Sequence, residues 1–287
     1  MTISDPEGTM RRTIPALLLA VLALGPLQAA PLQDDKPVRA LLVLGGCCHD
    51  YEKQKEIITK GVSAIANVQW SIAYDPDKGT RHKNPVYDNP EWHKGFDVIV
   101  HDECESDVKD TEVIHGILKP HKEGLPAVLL HCGMHSFRGE GYPKTTAWFE
   151  FTGLHTNGHG AQLPIAITFT DKESPITKGI EDWTTVNEEL YNNITGKLLD
   201  TAKELARGKQ TSKNKEGKEK VDDCICVWTN TYNGKTRVFG TTLGHNNATV
   251  ADPRYLKMVA RGLLWSVDKL NDAYLKPAKQ VLIEGGK

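Results

Sequence analysis

The stretch LPAVLLHCGMHSFR, residues 125–138, decides how this chain folds. Ala127 to Leu130 is an unbroken apolar run, the pattern of a strand buried on both faces of a parallel sheet. The run ends abruptly in His131, Cys132, Gly133, Met134 and His135, followed by Ser136 and Arg138. Two imidazoles, a thiol, a hydroxyl and a guanidinium therefore gather at the carboxyl end of a central strand. In open α/β sheets that edge is where ligands bind.

The segments upstream repeat the same grammar. Val38 to Leu44 reads as a first strand closed by Gly45-Gly46, and Glu52 to Ala66 as an amphipathic helix with Ile57, Ile58, Gly61, Val62 and Ile65 on one side. Val68 to Tyr74 alternates as a strand. Asp75 to Lys94 is a polar loop with Pro76, Pro85 and Pro90. Phe96 to Val100 is a buried strand running into His101-Asp102-Glu103, and Thr111 to Lys122 is a helix ending near Pro120. Strands alternating with helices predict a mostly parallel sheet with right-handed crossovers. The strand-end loops then deliver His49 and Asp50, His101 and Asp102, and His131 to His135 to one edge.

Downstream, Thr145 to Phe151 reads as a helix, Leu154 to Gly160 as a loop carrying His155 and His159, and Leu163 to Thr170 as a strand. Ala206 to Val221, rich in lysine and glycine, reads as a solvated insertion between strands. Cys224 to Thr229 and Arg237 to Leu243 are strands around Asn233-Gly234, a strong hairpin signal. Pro253 to Val267 closes the domain as a helix, and residues 271–287 form a tail that docks or frays.

With 287 residues, 39% hydrophobic and 25% charged, and a formal charge of −2, the sequence suits one globular domain with a sizeable core. No basic stripe interleaved with aromatics points to nucleic acid. Arg11-Arg12, the apolar run Ile14 to Leu24 and the small residues up to Ala29-Ala30 read as a secretory signal peptide over residues 1–30. An apolar run of about 11 residues falls short of the roughly 20 that span a bilayer, so no stable membrane anchor is expected. The expectation is an exported protein, periplasmic or extracellular. In an oxidising compartment the six cysteines matter. Without a CxxC pair they do not form a zinc ribbon, and Cys47 or Cys48 is placed to reach Cys104.

Two chemistries compete for the strand-end residues. Cys132 on a strand-to-turn elbow is a candidate nucleophile with His245 as base, although Asn246 and Asn247 follow where an orienting carboxylate is wanted. Alternatively His49, His131, His135 and His245 form an imidazole pocket for proton transfer or substrate polarisation, with Asp102 and Glu189 orienting them. The spacings of His131 to His135 and of His155 to His159 also suit a zinc ion (Zn2+), with Asp102 or Glu189 as oxygen ligands. The metalloprotease glutamate is absent, and Gly158 makes the second pair a loop. Asp50, Cys132, Ser136, Arg138, His155, His159 and Tyr191 are candidates for substrate contact, with Tyr191 and Trp148 as stacking platforms. His82, His93, His115 and His121 read as structural.

Taken together, Gly45-Gly46-Cys47-Cys48-His49-Asp50-Tyr51, His131 to Arg138, Glu188-Glu189-Leu190-Tyr191, Arg237-Val238-Phe239 and Leu243-Gly244-His245, with Gly262 and Trp265 in the final helix, resemble the trehalose-utilisation (ThuA-like) family. The resemblance covers residues 37–270. It implies a class I glutamine amidotransferase-like fold, with a flavodoxin-like doubly wound sheet in a single domain. It also implies work on a carbohydrate, trehalose-like or a 3-keto glycoside, by a hydrolase, lyase or isomerase. A non-catalytic sugar-binding or partner-docking module and a Cys132-dependent amidotransferase-like hydrolase are the other readings, and a homo-oligomer is compatible with each. The family usually has Asp where this chain has Glu188, and the lysine-rich insertion is atypical of it.

Overall fold

The computed structural model describes residues 36–283; the signal-peptide reading of residues 1–30 and the end of the tail fall outside them. In chain order the elements are β1 (Val38–Gly46), α1 (Tyr51–Ser63), β2 (Val68–Asp75), β3 (Val98–Cys104), α2 (Thr111–Glu123), β4 (Ala127–Leu130), α3 (Ala147–Thr152) and β5 (Leu163–Phe169). Then follow β6 (Trp183–Glu188), β7 (Ala202–Lys213), β8 (Glu219–Tyr232), β9 (Thr236–Thr241), α4 (Asn247–Val250) and α5 (Pro253–Ser266).

All nine strands join one sheet in the order β2-β1-β3-β4-β9-β8-β7-β5-β6. From β2 to β9 every pairing is parallel. From β9 to β6 every pairing is antiparallel. The expectation of a mostly parallel sheet is thus corrected: this is a mixed sheet, because the Asn233-Gly234 hairpin turns the chain back at β9 and adds an antiparallel half. Alternation along β1 divides the core. Leu42 and Leu44 face a cluster with Ile58 and Val62 of α1 and with Met258, Val259 and Leu263 of α5. Leu41 and Val43 face Ile114 and Leu118 of α2 and Trp148 and Phe151 of α3. Successive side chains point to opposite faces of a strand, so one apolar run serves both layers.

The predicted lysine-rich insertion is instead the β7–β8 hairpin, paired from Ala202↔Asn230 to Lys213↔Glu219. Its inner positions Ala206, Gly208 and Gln210 are buried while Lys209 is exposed, so lysines on the solvent face hid a period-2 strand. The tail docks beside β2, where Ile283 donates its amide to the Trp70 carbonyl at 2.8 Å and Trp70 donates to Val281. Among the described residues no helix is long and apolar enough to cross a membrane.

For function, the alignment of strand ends matters most. Gly46 of β1 lies opposite Cys104 of β3, and Leu130 of β4 opposite Thr241 of β9. Because Leu129 of β4 lies opposite His101, and His101 opposite Val43, the loops leaving β4 and β9 start slightly before the one leaving β1, and all three open at the same edge of the sheet.

Candidate functional site

His131 opens a short 3-10 turn directly after β4, with a positive φ of 42°. Left-handed backbone at a non-glycine residue is uncommon and strained, and it concentrates at functional sites. Here it turns the imidazole under the end of β9, where Nδ1 lies 2.7 Å from the Thr242 carbonyl oxygen. A carbonyl only accepts, so Nδ1 carries a proton and donates it, and His131 turns its Nε2 towards the cluster. Two glycines permit the closeness. A Cβ on Gly133 would stand 2.3 Å from the His101 carbonyl oxygen, and one on Gly244 would stand 3.3 Å from His131 Cβ.

Around that nitrogen the structure gathers His49, Glu189, Tyr191 and His245. His131 Nε2 lies 3.4 Å from Glu189 Oε2 and 3.1 Å from the Tyr191 hydroxyl. His245 Nδ1 and His159 Nε2 approach Glu189 Oε1 at 3.2 and 3.3 Å. The His49 ring sits edge-on to His131 and His245, with centroids 4.6 and 4.8 Å apart. One carboxylate is thus surrounded by three imidazoles, with a fourth packed against two of them. The cluster is mostly buried and reaches solvent at His49, His159 and His245, whose side chain is 15% exposed.

Burial, reinforced by the neighbouring His131 and His245, drives the His49 pKa down to about 2, so His49 is neutral. His135 is likewise pushed well below the usual imidazole range by burial and the nearby Arg138. His245 moves up because the Glu189 carboxylate beside it favours the charged imidazole. Burial pushes the Glu189 carboxyl up, but the imidazoles of His131, His245 and His159 around it outweigh that and hold it below the usual range.

Cys132 does not have the setting of a nucleophile. Its side chain is 3% exposed, and burial, with Cys104 beside it, pushes the thiol pKa well up. A protonated thiol is the opposite of an activated one. Its imidazole partner is His49, with Nε2 3.1 Å from Sγ, and not the expected His245. Cys47 does reach Cys104 on the neighbouring strand, with the Sγ atoms 3.5 Å apart, but the bond that forms joins Cys47 to Cys48.

Other expected site residues lie apart. Asp102 is buried and its carboxyl is pushed well up by burial and by Glu103 and Cys104. It forms no ion pair with an imidazole among the described residues, so of these two carboxylates Glu189 is the one set against the imidazoles. The Ser136 hydroxyl is committed to backbone, donating to the Glu103 and Cys132 carbonyls and accepting from the Glu105 amide. Arg138 donates to the His135 and Asn157 carbonyls. Asp50 is exposed and accepts from Asn247 beside the His245 loop. His155 stacks on Phe149 away from the cluster, and neither ring nitrogen has a partner. Tyr191 is buried, with His135 stacked on it at 4.3 Å and 6°. Trp148 is core, donating to the Gly133 carbonyl. His121, read as structural, is buried against His101.

Three contributors escaped the sequence reading. Glu188 accepts the backbone amides of His245 and Asn246 at 3.1 and 2.8 Å and so fixes the β9–α4 loop. Gln54 of α1 donates to the Gly244 and His245 carbonyls from the other side. Gln162 donates to Glu189 Oε1 at 3.0 Å. For Glu188 the signal was its place beside Glu189; for Gln54 and Gln162 the sequence holds none.

This sheet, with an elbow after a central strand and imidazoles at the strand ends, defines a glutamine amidotransferase-like α/β protein. More narrowly, the chain belongs to the ThuA family, described as trehalose utilisation, whose profile matches residues 44–266. No curated protein matches the chain. Among solved structures it is similar to a putative ThuA-like protein from Parabacteroides merdae, with 18% identity, TM-score 0.59, and 81% of this chain and 90% of that one covered. A second, from Bacteroides uniformis, gives 15% identity and TM-score 0.56, covering 82% and 96%. These structures share the fold.

Proposed function

We propose that this chain is an exported enzyme of carbohydrate utilisation that acts on a trehalose-like disaccharide or its 3-keto derivative at the strand-end imidazole cluster. The observation that carries the reading is the position of Glu189 among His131, His159 and His245, with His49 against two of them. Such a centre polarises a sugar oxygen and moves protons at neutral pH, the tasks that hydrolysis, elimination or isomerisation of a glycoside share. Family membership supports the substrate class. We read the parallel half, ordered β2-β1-β3-β4-β9, as the flavodoxin-like doubly wound part, in which strand carboxyl ends form the ligand edge. Export is supported by the basic, apolar and small-residue succession of residues 11–30. The Cys47–Cys48 disulfide suits the oxidising setting that export implies.

The test is calorimetry followed by product analysis on a panel of trehalose, other glucosides and their 3-keto derivatives, for the parent and Glu189→Gln. Turnover by the parent and a loss of at least about 100-fold in the variant are expected, the range for general acid–base residues. Saccharide binding without product identifies a binding module instead, and equal turnover by both proteins refutes the site.

A further inference from the structure

We propose that His49, His131, His245 and Glu189 hold one divalent transition-metal ion, with zinc as the best-fitting occupant. This deepens the carbohydrate reading and rests on the same site. Each of the four residues offers one ligand atom, and these atoms lie within 4.8 Å of one another. Zinc bonds to imidazole nitrogen and carboxylate oxygen run about 2.0–2.2 Å, so tetrahedral ligands stand about 3.4 Å apart. The cluster already has such edges, 3.4 Å from His131 Nε2 to Glu189 Oε2 and 3.2 Å from His245 Nδ1 to Glu189 Oε1.

The unsatisfied lone pairs are the stronger argument. His131 donates Nδ1–H to the Thr242 carbonyl, which leaves Nε2 as the atom facing Glu189 Oε2 at 3.4 Å and the Tyr191 hydroxyl at 3.1 Å. That nitrogen and that oxygen stand at the spacing of two ligands on one ion. His49 Nδ1 and His245 Nδ1 are buried atoms without a hydrogen-bond partner; the second is near Glu189 but not aligned for a bond. Buried polar atoms in folded proteins normally have partners, and each exception calls for one.

The surroundings match what a metal site needs outside its ligands. A ligating histidine usually donates its other nitrogen to a carbonyl or carboxylate, as His131 does. Glu189 is steadied by Gln162, and the His245 loop is held by Glu188 and Gln54. A set of three imidazoles and one carboxylate suits zinc and disfavours calcium or magnesium, which prefer oxygen ligands. The alternative set of His49, Cys104 and Cys132 shares only His49, and it needs a thiolate that the buried thiol does not supply. A sugar carbonyl or hydroxyl would reach the ion as a fifth ligand, and the ion would polarise it as a Lewis acid.

The experiment uses the full chain without a polyhistidine tag, stripped with chelator and titrated with Zn2+ and, separately, Co2+. One equivalent per chain is expected by elemental analysis. X-ray absorption of the zinc-loaded parent should show three imidazole shells, a readout that needs no variant. Glu189→Gln and His245→Ala should bind at least about 10–100-fold more weakly, while His82→Ala, outside the cluster, binds as the parent does. Less than a tenth of an equivalent in the parent, fewer than two imidazoles on the metal, or parent-like affinity in both ligand variants overturns the proposal. A bound ion with no sugar turned over leaves the metal centre standing and removes the carbohydrate reading. Sugar turned over at full rate by the stripped chain does the reverse.

Discussion

Replacing Glu188 by Gln tests how the site is held together. Glu188 is fully buried, and its two oxygens accept the amides of His245 and Asn246 at 3.1 and 2.8 Å. Hydrogen bonds to a charged group contribute about 1.5–3 kcal/mol each, against about 0.5–1.5 for neutral ones. Gln keeps one acceptor and turns an NH2 towards the other amide, so one bond is lost and one weakened. The sum is about 2–4 kcal/mol. For a domain of this size each kcal/mol moves the midpoint by about 2–4 °C, which predicts a Tm lower by on the order of 10 °C. Scanning calorimetry with far-UV circular dichroism measures it. Glu188→Asp, the residue usual in the family, should fall between, because its shorter arm still reaches one amide. A Tm shift below about 2 °C for Glu188→Gln would refute the claim that this carboxylate anchors the His245 loop.

Two further outcomes are expected. Burial and neighbouring His101 lower the His121 pKa from 6.5 to about 3. Between those values the unfolded chain binds the extra proton. This contribution is therefore full above pH 6.5 and is lost as pH falls towards 3, at about 1.4 kcal/mol per pH unit. Urea titrations at pH 6 and 4 should show a shallower acid loss for His121→Gln, and equal slopes would contradict the assignment. A Cβ on Gly262 of α5 would lie 2.4 Å from Phe239 Cγ of β9. Gly262→Ala should accordingly destabilise by about 1–3 kcal/mol through overpacking, measured by the urea midpoint; an unchanged midpoint would mean that the helix can lift off the strand.

Much of the parallel half could be read from residues alone. Ala127 to Leu130 is a strand, and its break at His131 is the elbow, because an apolar run followed by polar loop residues has few other foldings. The Asn233-Gly234 hairpin followed from turn chemistry. The β7–β8 hairpin did not, because lysine content masked the alternation of buried Ala206, Gly208 and Gln210. In the site, imidazoles at strand ends could be anticipated once the strands were parallel. What each faces could not. Glu189 was chosen over Asp102 by a loop after an antiparallel strand, and Tyr191 was claimed by His135, both contacts between distant residues that no local spacing encodes. The Cys47–Cys48 bond shows the same limit, since neighbours in sequence proved closer than the neighbouring strand.

The most direct test of the whole account is side-chain nitrogen NMR of the imidazoles in the full chain, titrated with trehalose and its 3-keto derivative. Convergence on one centre predicts that His49, His131 and His245 shift together with a single saturation curve, while His121 stays still. A ligand that saturates the protein yet moves none of the three, or moves one without the others, would contradict it.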